Sequence, residues 1–268
     1  MPTRYTGTVV PLITPLDPTG AVDAKSVGRL IDHVRTEVTG LMPALTSGEG
    51  WALDARQWHD MVAHTVRHAR GLPVLAGIQL PDTAAVTARA LLAAELGVDA
   101  VVVTTPFGKD VGQDAIVEHY KALRAASSLP IFLYNEEALS GNRIEYDTLL
   151  RICAEVPDIV GIKESSGDAA FTRRMASAGT GVPVFEGWEN LLVDAVGVDG
   201  FIGPLANLEP ALCNAMLVDP TPGRQAEINE VCKRYGVFED DWYRWVKLEL
   251  HTRGVIDSPV TRDEAAGS

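Results

Sequence analysis

Cysteine is scarce in this chain of 268 residues: Cys153, Cys213 and Cys232 are odd in number and widely spaced. Such spacing excludes a disulfide framework, and each thiol lies in a segment of helical period, where a buried spectator is expected rather than a nucleophile. Basic residues are outnumbered, 23 against 36 acidic ones, for a formal net charge of -13. No cluster of Lys and Arg occurs, which excludes nucleic acid and anionic membrane as partners, since both are held by clustered cations that replace counterions. A small anionic substrate is not excluded, because the field inside a pocket differs from the net charge. No run approaches the roughly 18 consecutive apolar residues of a membrane span. The opening MPTRYTGTVVPLITPL lacks the cationic start and unbroken apolar stretch of a secretory signal, so a cytoplasmic protein is expected. The glycine turns G-x-G-x-x-G and G-x-x-x-x-G-K-[ST] are missing too, which argues against an open nucleotide-binding sheet.

Hydrophobic residues make up 46% and charged residues 22%, the profile of a globular protein with a sizeable core. Short β-branched runs alternate eight times with longer segments of helical period. Strands are predicted at about 7 to 13, 41 to 46, 73 to 79, 100 to 105, 130 to 135, 159 to 163, 182 to 186 and 200 to 205, with helices filling the gaps. Asp23, Asp54, Asp82 and Asp168 precede helical segments as N-caps, and Gly40, Gly71, Gly97 and Gly179 are placed to end them. Runs such as AVVVTT and PIFLY are apolar without alternation, as in strands covered on both faces. Eight such units predict an α/β fold, a (β/α)8 TIM barrel over residues 1–218. Residues 219–268 are read as a short C-terminal helical extension of the same domain, ending in a frayed tail, VTRDEAAGS.

In such a barrel chemistry is done at the carboxyl ends of the strands. Those ends carry Thr14, Thr46 with Ser47, Gln79, Thr104 with Thr105, Tyr134 with Asn135, Lys163 with Glu164, Glu186, and Ile202. Lys163 is the lysine among them, closing the uncharged run IVGI. Desolvation there disfavours the ammonium, and a fall from about 10.4 to about 7 corresponds to roughly 4 kcal/mol between its two forms. A neutral amine attacks a ketone, and the protonated imine withdraws electrons from the adjacent carbon, so that carbon-carbon bonds are made or broken there. Water-facing display of the ammonium above packed methylenes is the bland alternative. A phenol ending the preceding strand and a hydroxyl pair ending strand two favour chemistry. Tyr134 is suited to shuttle protons during carbinolamine dehydration. The turn LTSGEG, residues 45 to 50, offers hydroxyls and successive amides that suit the carboxylate of a 2-oxo acid.

With these residues in place the chain resembles the dihydrodipicolinate synthase and N-acetylneuraminate lyase family of class I aldolases, over roughly residues 5 to 215. The likeness rests on TGTVVPLITPLDPTGAVD, LTSGEGWAL where the family has a G-T-T-G-E type turn, the Tyr134-Asn135 pair, GIKESSGD around Lys163, and GFIGPLAN. The resemblance implies a Schiff base between Lys163 and pyruvate or another 2-oxo acid, with Tyr134 as acid/base and Thr46 and Ser47 as carboxylate and proton-relay groups. Asn135, Glu136, Gly187 and Ile202 are expected to join Thr46 and Ser47 in substrate binding. It implies no cofactor, an unidentified aldehyde partner, and a homodimer or homotetramer. Phe107 and Gly108 replace a Tyr-Tyr pair, one phenol of which serves the neighbouring subunit's relay in dihydrodipicolinate synthases. Glu136 and Glu137 follow Tyr-Asn, and Leu139 stands where those synthases place an arginine. Two acids and no arginine repel a second substrate's carboxylate, so a family member other than a dihydrodipicolinate synthase is expected.

His64 and His68, four residues apart, lack a third ligand and are read as a helix face rather than a metal site. The aromatic segment at 240 to 242 is expected to pack on a neighbouring surface and carries no assigned chemistry. Two functions from different classes follow: a Schiff-base lyase, with aldolase, dehydratase or hydratase-aldolase variants, and a regulatory barrel that binds a 2-oxo acid without turning it over.

Overall fold

The computed structural model describes residues 5–266. Its strands are β1 (Gly7–Val10), β2 (Gly40–Leu41), β3 (Leu75–Ile78), β4 (Ala100–Thr104), β5 (Ile131–Asn135), β6 (Ile159–Glu164), β7 (Val184–Glu186) and β8 (Gly200–Phe201). All pair in parallel, in sequence order, with β8 returning to β1 and β1 to β2. Between β2 and β3 a parallel bridge joins Leu41 to Val74, and the Gly77 amide donates to the Pro43 carbonyl at 2.9 Å. The ring is thus closed as a (β/α)8 barrel, and the open sheet is excluded. The first two strands are shorter than their apolar runs because Pro11 and Pro43 have no N–H for the ladder.

Helices α1 (Ala24–Val34), α2 (Ala55–His68), α3 (Thr83–Leu96) and α4 (Gln113–Ala126) cross between successive strands. A short α5 (Glu137–Ser140) precedes α6 (Tyr146–Glu155), and α7 (Ala169–Ala176) and α8 (Pro210–Val218) complete the outer layer. All four predicted aspartates cap: Asp23 accepts from the Lys25 amide, Asp54 from Gln57, Asp82 from Ala85, and Asp168 from Ala170 and Phe171. Each such cap stabilises its helix by about 1 kcal/mol. Gly97 ends α3 in the left-handed region at φ 79. Gly40 does not cap, since α1 stops at Val34 and Gly40 opens β2.

The seventh crossover also departs from expectation. Between β7 and β8 the chain makes only a 3-10 turn at Glu189–Leu191. Helix α9 (Pro222–Arg234) is fixed to that crossover: Gln225 accepts from the Val193 amide at 2.9 Å and donates to the Glu189 carbonyl at 2.8 Å. Two apolar layers result. Inside the ring lie Val9, Met42, Leu75, Val102, Phe132, Tyr134, Phe185 and Ile202, while Val10, Leu41, Ala76, Val101 and Val103 face outward to the helices. Fully burying each large side chain contributes about 1.5–3 kcal/mol, which outweighs any single cap.

The extension continues through α10 (Trp242–Thr252) and α11 (Arg262–Ala266). The frayed tail is corrected over residues 260–266. Lys247 donates to the Val260 carbonyl at 2.9 Å, Thr261 N donates to Glu264 at 2.9 Å, and Arg262 N donates to Glu49 Oε2 at 2.6 Å. Residues 1–4 and 267–268, including the end of the tail and the start of the N-terminal segment, lie outside the described residues. No helix among the described residues is long and apolar enough to cross a membrane.

Candidate active site

Strand register brings the central pair together. Tyr134 on β5 stands directly beside Lys163 on β6, and Lys163 beside Phe185 on β7. Side chains alternate along a strand, so Tyr134 turns inward with Phe132 while its neighbour Asn135 turns toward the helices. Asn135 is fully buried there, donating to Glu164 Oε2 at 2.6 Å and accepting from the Ile144 amide at 2.8 Å. It joins β5 to β6 and to the loop that leads into α6. The expected substrate contact of Asn135 therefore has no opening onto the cavity.

Lys163 is 4% exposed. Its Nζ donates to the Tyr134 hydroxyl at 3.1 Å and lies 4.4 Å from the centre of that ring. Burial pushes the amine down to about 8, against the pull of the Glu136, Glu189 and Glu186 carboxylates, which favour the ammonium. Burial also lifts the carboxyls of Glu186 and Glu189 to about 7 and raises that of Glu136. The Tyr134 hydroxyl donates to Glu136 Oε2 at 2.7 Å. Having one proton, it must then accept from Thr46 Oγ1, 2.9 Å away, which in turn accepts from Gln79 Nε2 at 2.8 Å. The result is a directed chain, Gln79 to Thr46 to Tyr134 to Glu136, with Lys163 donating at its centre.

Thr46 and Ser47 open the 3-10 turn Thr46–Gly48. Gly48 and Gly50 donate to the Leu45 carbonyl and Glu49 to the Thr46 carbonyl, so the expected amide nest narrows to Thr46 and Ser47. Glu49 occupies the left-handed region at φ 57, an uncommon place for a residue with a Cβ. It is held there by a buried ion pair with Lys247, the two side chains being 1% and 0% exposed, and by the Arg262 amide. The C-terminal helices thereby fix the turn that presents Thr46 and Ser47.

These groups border a cavity of about 410 Å³. Thr46, Ser47, Tyr134, Glu136, Lys163 and Gly187 line it. At Gly187 a Cβ would overlap Ser165 Oγ, so only glycine lets the wall pass so close. Ile202 is fully buried in the barrel interior and does not line the cavity, nor do Phe107 and Gly108. Leu139 lines it, whereas Glu137 is exposed outside it, so one of the two consecutive acids faces the site rather than both.

Glu189 escaped the sequence reading because it lies three residues past the end of β7, beyond the strand termini, although its glycine-flanked neighbourhood resembles a strand-end loop. Its Oε1 accepts from the Leu205 amide at 2.9 Å. The segment at 240 to 242, expected only to pack, also lines the cavity through Asp240 and Trp242, together with Val237, Phe238, Glu239 and Tyr243, and Tyr243 meets Trp51 there. A helical period cannot reveal that an extension folds back over the barrel mouth. Among the described residues no group of three or more His, Cys, Asp or Glu converges as metal ligands.

The sequence profile of the Dihydrodipicolinate synthetase family matches residues 4–264. The chain is 31% identical to the 4-hydroxy-tetrahydrodipicolinate synthase of Persephonella marina, over 86% of this chain and 80% of that one. It is 30% identical to a DapA-like lyase of Halobacterium salinarum, over 95% of this chain and 86% of the other. In structure it is similar to the dihydrodipicolinate synthase of Acinetobacter baumannii, solved in complex with pyruvate, with a TM-score of 0.86 and 27% identity over 96% of this chain and 91% of that one. The match runs past the barrel through α9 and α10 and into α11, and so takes in Lys247 and Arg262, which hold the Thr46 turn, and Trp242 and Tyr243, which wall the cavity. The chain belongs to the Dihydrodipicolinate synthetase family.

Proposed function

We propose that this protein is a class I lyase that makes or breaks a carbon-carbon bond beside a 2-oxo acid, pyruvate or a close relative, held as a Schiff base on Lys163. The observation that carries this reading is the buried Lys163 amine, 3.1 Å from the Tyr134 hydroxyl in a 410 Å³ cavity. With the amine near 8, about a tenth is neutral at pH 7 and free to attack the ketone carbon. Tyr134 protonates the departing carbinolamine hydroxyl, which leaves as water, and is reprotonated through Thr46 or Glu136. The protonated imine then lets the adjacent carbon lose a proton, and the enamine so formed attacks an aldehyde carbonyl. Run backwards, the same steps cleave a hydroxy-oxo acid. Thr46 and Ser47 receive the oxo acid's carboxylate, and Gly187 leaves room for its carbon chain.

The A. baumannii relative's complex with pyruvate supports the choice of a 2-oxo acid. Glu136 gives Tyr134 a proton acceptor within the same chain. The relay therefore needs no phenol from a neighbouring subunit, which accounts for Phe107 at that place.

Incubation with pyruvate and borohydride, followed by peptide mass mapping, tests the reading. A reduced adduct on Lys163, lost in Lys163→Ala, is expected. Absence of any adduct with pyruvate and several other 2-oxo acids refutes it. An adduct without turnover of any aldehyde or hydroxy-oxo acid leaves a binding barrel instead of a lyase.

A further inference from the structure

The cavity is far from uniform. Around Lys163 it is polar, but its outer wall is built from Trp51, Leu139, Trp188, Phe238, Trp242 and Tyr243. Trp51, Trp188 and Phe238 are 39%, 41% and 39% exposed, unusual for aromatic side chains that could pack elsewhere. They are not loose. Trp188 Nε1 donates to the Ser165 carbonyl at 3.0 Å. Tyr243 meets Trp51 edge to face at 5.5 Å and Trp242 at 5.9 Å between ring centres. Ordered aromatic faces at a cavity mouth suit a flat apolar ligand, which stacks or abuts at little further entropic cost.

Charge narrows the class. Apart from Lys163, which the oxo acid occupies, the lining among the described residues holds no Lys, Arg or His, and it includes Glu136, Glu189, Glu239 and Asp240. A carboxylate or phosphate on the second substrate would therefore enter with four acids around it and no cation to receive it. At about 410 Å³ the cavity lies within the range of about 300–1,000 Å³ that takes a ligand larger than a three-carbon acid.

We propose that the aldehyde partner is an aromatic aldehyde that carries no negative charge, seated against Trp51, Trp188 and the Phe238–Tyr243 wall with its carbonyl toward Lys163. This rests on the reading of Lys163 as the Schiff-base nucleophile. The step balances without a cofactor. Pyruvate's imine loses a methyl proton to the Tyr134 chain to become the enamine, whose electron pair forms the new carbon-carbon bond to the aldehyde carbon. The π pair of the aldehyde carbonyl moves onto its oxygen, which takes a proton back from the Tyr134 chain, and the nitrogen is again an iminium. Water then hydrolyses the imine, releasing a 4-aryl-4-hydroxy-2-oxo acid and free Lys163.

The test uses the full chain with saturating pyruvate and three aldehydes: benzaldehyde, 4-carboxybenzaldehyde and acetaldehyde. Product is read by chromatography with mass detection, and the borohydride adduct on Lys163 is measured in parallel. The kcat/KM for benzaldehyde is expected to exceed that for each of the other two at least tenfold. In Trp188→Ala, and in the gentler Trp188→Leu, the ratio of benzaldehyde to acetaldehyde kcat/KM should fall about tenfold. If the adduct forms but the carboxylated or small aldehyde is used as well as benzaldehyde, or if none is used, the assignment is overturned and the Schiff-base reading stands. If no adduct forms, both fall.

Discussion

Glu136→Gln separates two effects that one carboxylate exerts on the site, and they have opposite signs. The 3.1 Å and 2.7 Å bonds meeting at the Tyr134 oxygen place the Lys163 nitrogen and the Glu136 carboxylate no more than about 6 Å apart. At an effective dielectric constant near 20, a charge pair at that distance is worth about 3 kcal/mol. Glu136 is only partly buried, so water screens part of this, and a fall of about one pH unit in the Lys163 midpoint is expected on its removal. At pH 7 the neutral fraction then rises from about a tenth to about a half, a gain of about fivefold. Against this, Tyr134 loses its proton acceptor, and a positioned acid or base is worth about 10²–10⁴ in rate. Proton transfer wins. The variant should form the pyruvate adduct about 20- to 2,000-fold more slowly at pH 7 while its pH midpoint moves down. The assay is the initial rate of borohydride-trapped adduct across the pH range, quantified by intact mass, which yields midpoint and plateau separately. A midpoint that stays or rises, or a plateau that is not lowered, refutes the assignment of Glu136 to the relay.

Other perturbations probe separate parts of the molecule. Tyr134→Phe keeps the ring over Lys163 but removes the hydroxyl, and should slow adduct formation about 10²–10⁴-fold in the same time course; an unchanged rate means the proton shuttle lies elsewhere. Lys247→Met leaves the Glu49 charge buried and unpaired, which should cost about 3–5 kcal/mol in urea unfolding, most of it recovered in the Glu49→Gln/Lys247→Met double variant; a double variant as unstable as the single one contradicts the pairing argument. Glu189 is lifted from 4.5 to about 7, so the folded state binds its proton more tightly than the unfolded chain does. Its contribution is complete below about pH 4.5 and lost as the pH rises through about 7. Glu189→Gln, which retains an acceptor for the Leu205 amide, should then stabilise the fold by up to about 3 kcal/mol at pH 8 and change it little at pH 4. Urea midpoints at the two pH values check the sign, and a variant less stable at pH 8 counts against it.

What could be read from the sequence depended on whether a feature is local. The eight apolar runs and the four capping aspartates are set by residues within one strand or helix turn, and each leaves a pattern of composition or spacing; Lys163 and Tyr134 are legible one by one as strand ends, and the parallel register of β5 and β6 sets them side by side. Alternation along β5 could in principle have separated inward Tyr134 from outward Asn135, but the pair was read as one motif. Ile202 likewise falls at a strand end in the sequence, whereas its side chain fills the barrel interior. Glu136 was legible as an acid near the site, and its repulsion of anions was the part inferred. Its bond to Tyr134 depends on the chain turning sharply after β5, which no periodicity records. Glu49 with Lys247 and Arg262, and the Val237–Tyr243 wall, are contacts across some 200 residues or between an extension and the barrel mouth. Only tertiary packing creates them.

On the proposed Schiff-base reading the acids around Lys163 carry a cost, since each of them favours the ammonium over the nucleophilic amine. The comparison that decides rate is different. Along imine formation the nitrogen begins neutral and ends as a protonated imine, whose charge is what activates the adjacent carbon. Burial alone would make the amine a ready nucleophile but would penalise the iminium by the same desolvation. Carboxylates at Glu136, Glu186 and Glu189, themselves lifted toward neutrality by burial, respond to that appearing charge: as the nitrogen becomes positive, their ionised forms are favoured. Stabilisation is therefore larger after the bond forms than before it, which is the condition for an electrostatic group to accelerate a step rather than merely bind its reactant. Glu136 and Glu189 also line the cavity beside the aromatic wall, so on the same reading the carboxylates that stabilise the iminium repel an anionic second substrate, and catalysis and selectivity at this mouth arise from shared side chains.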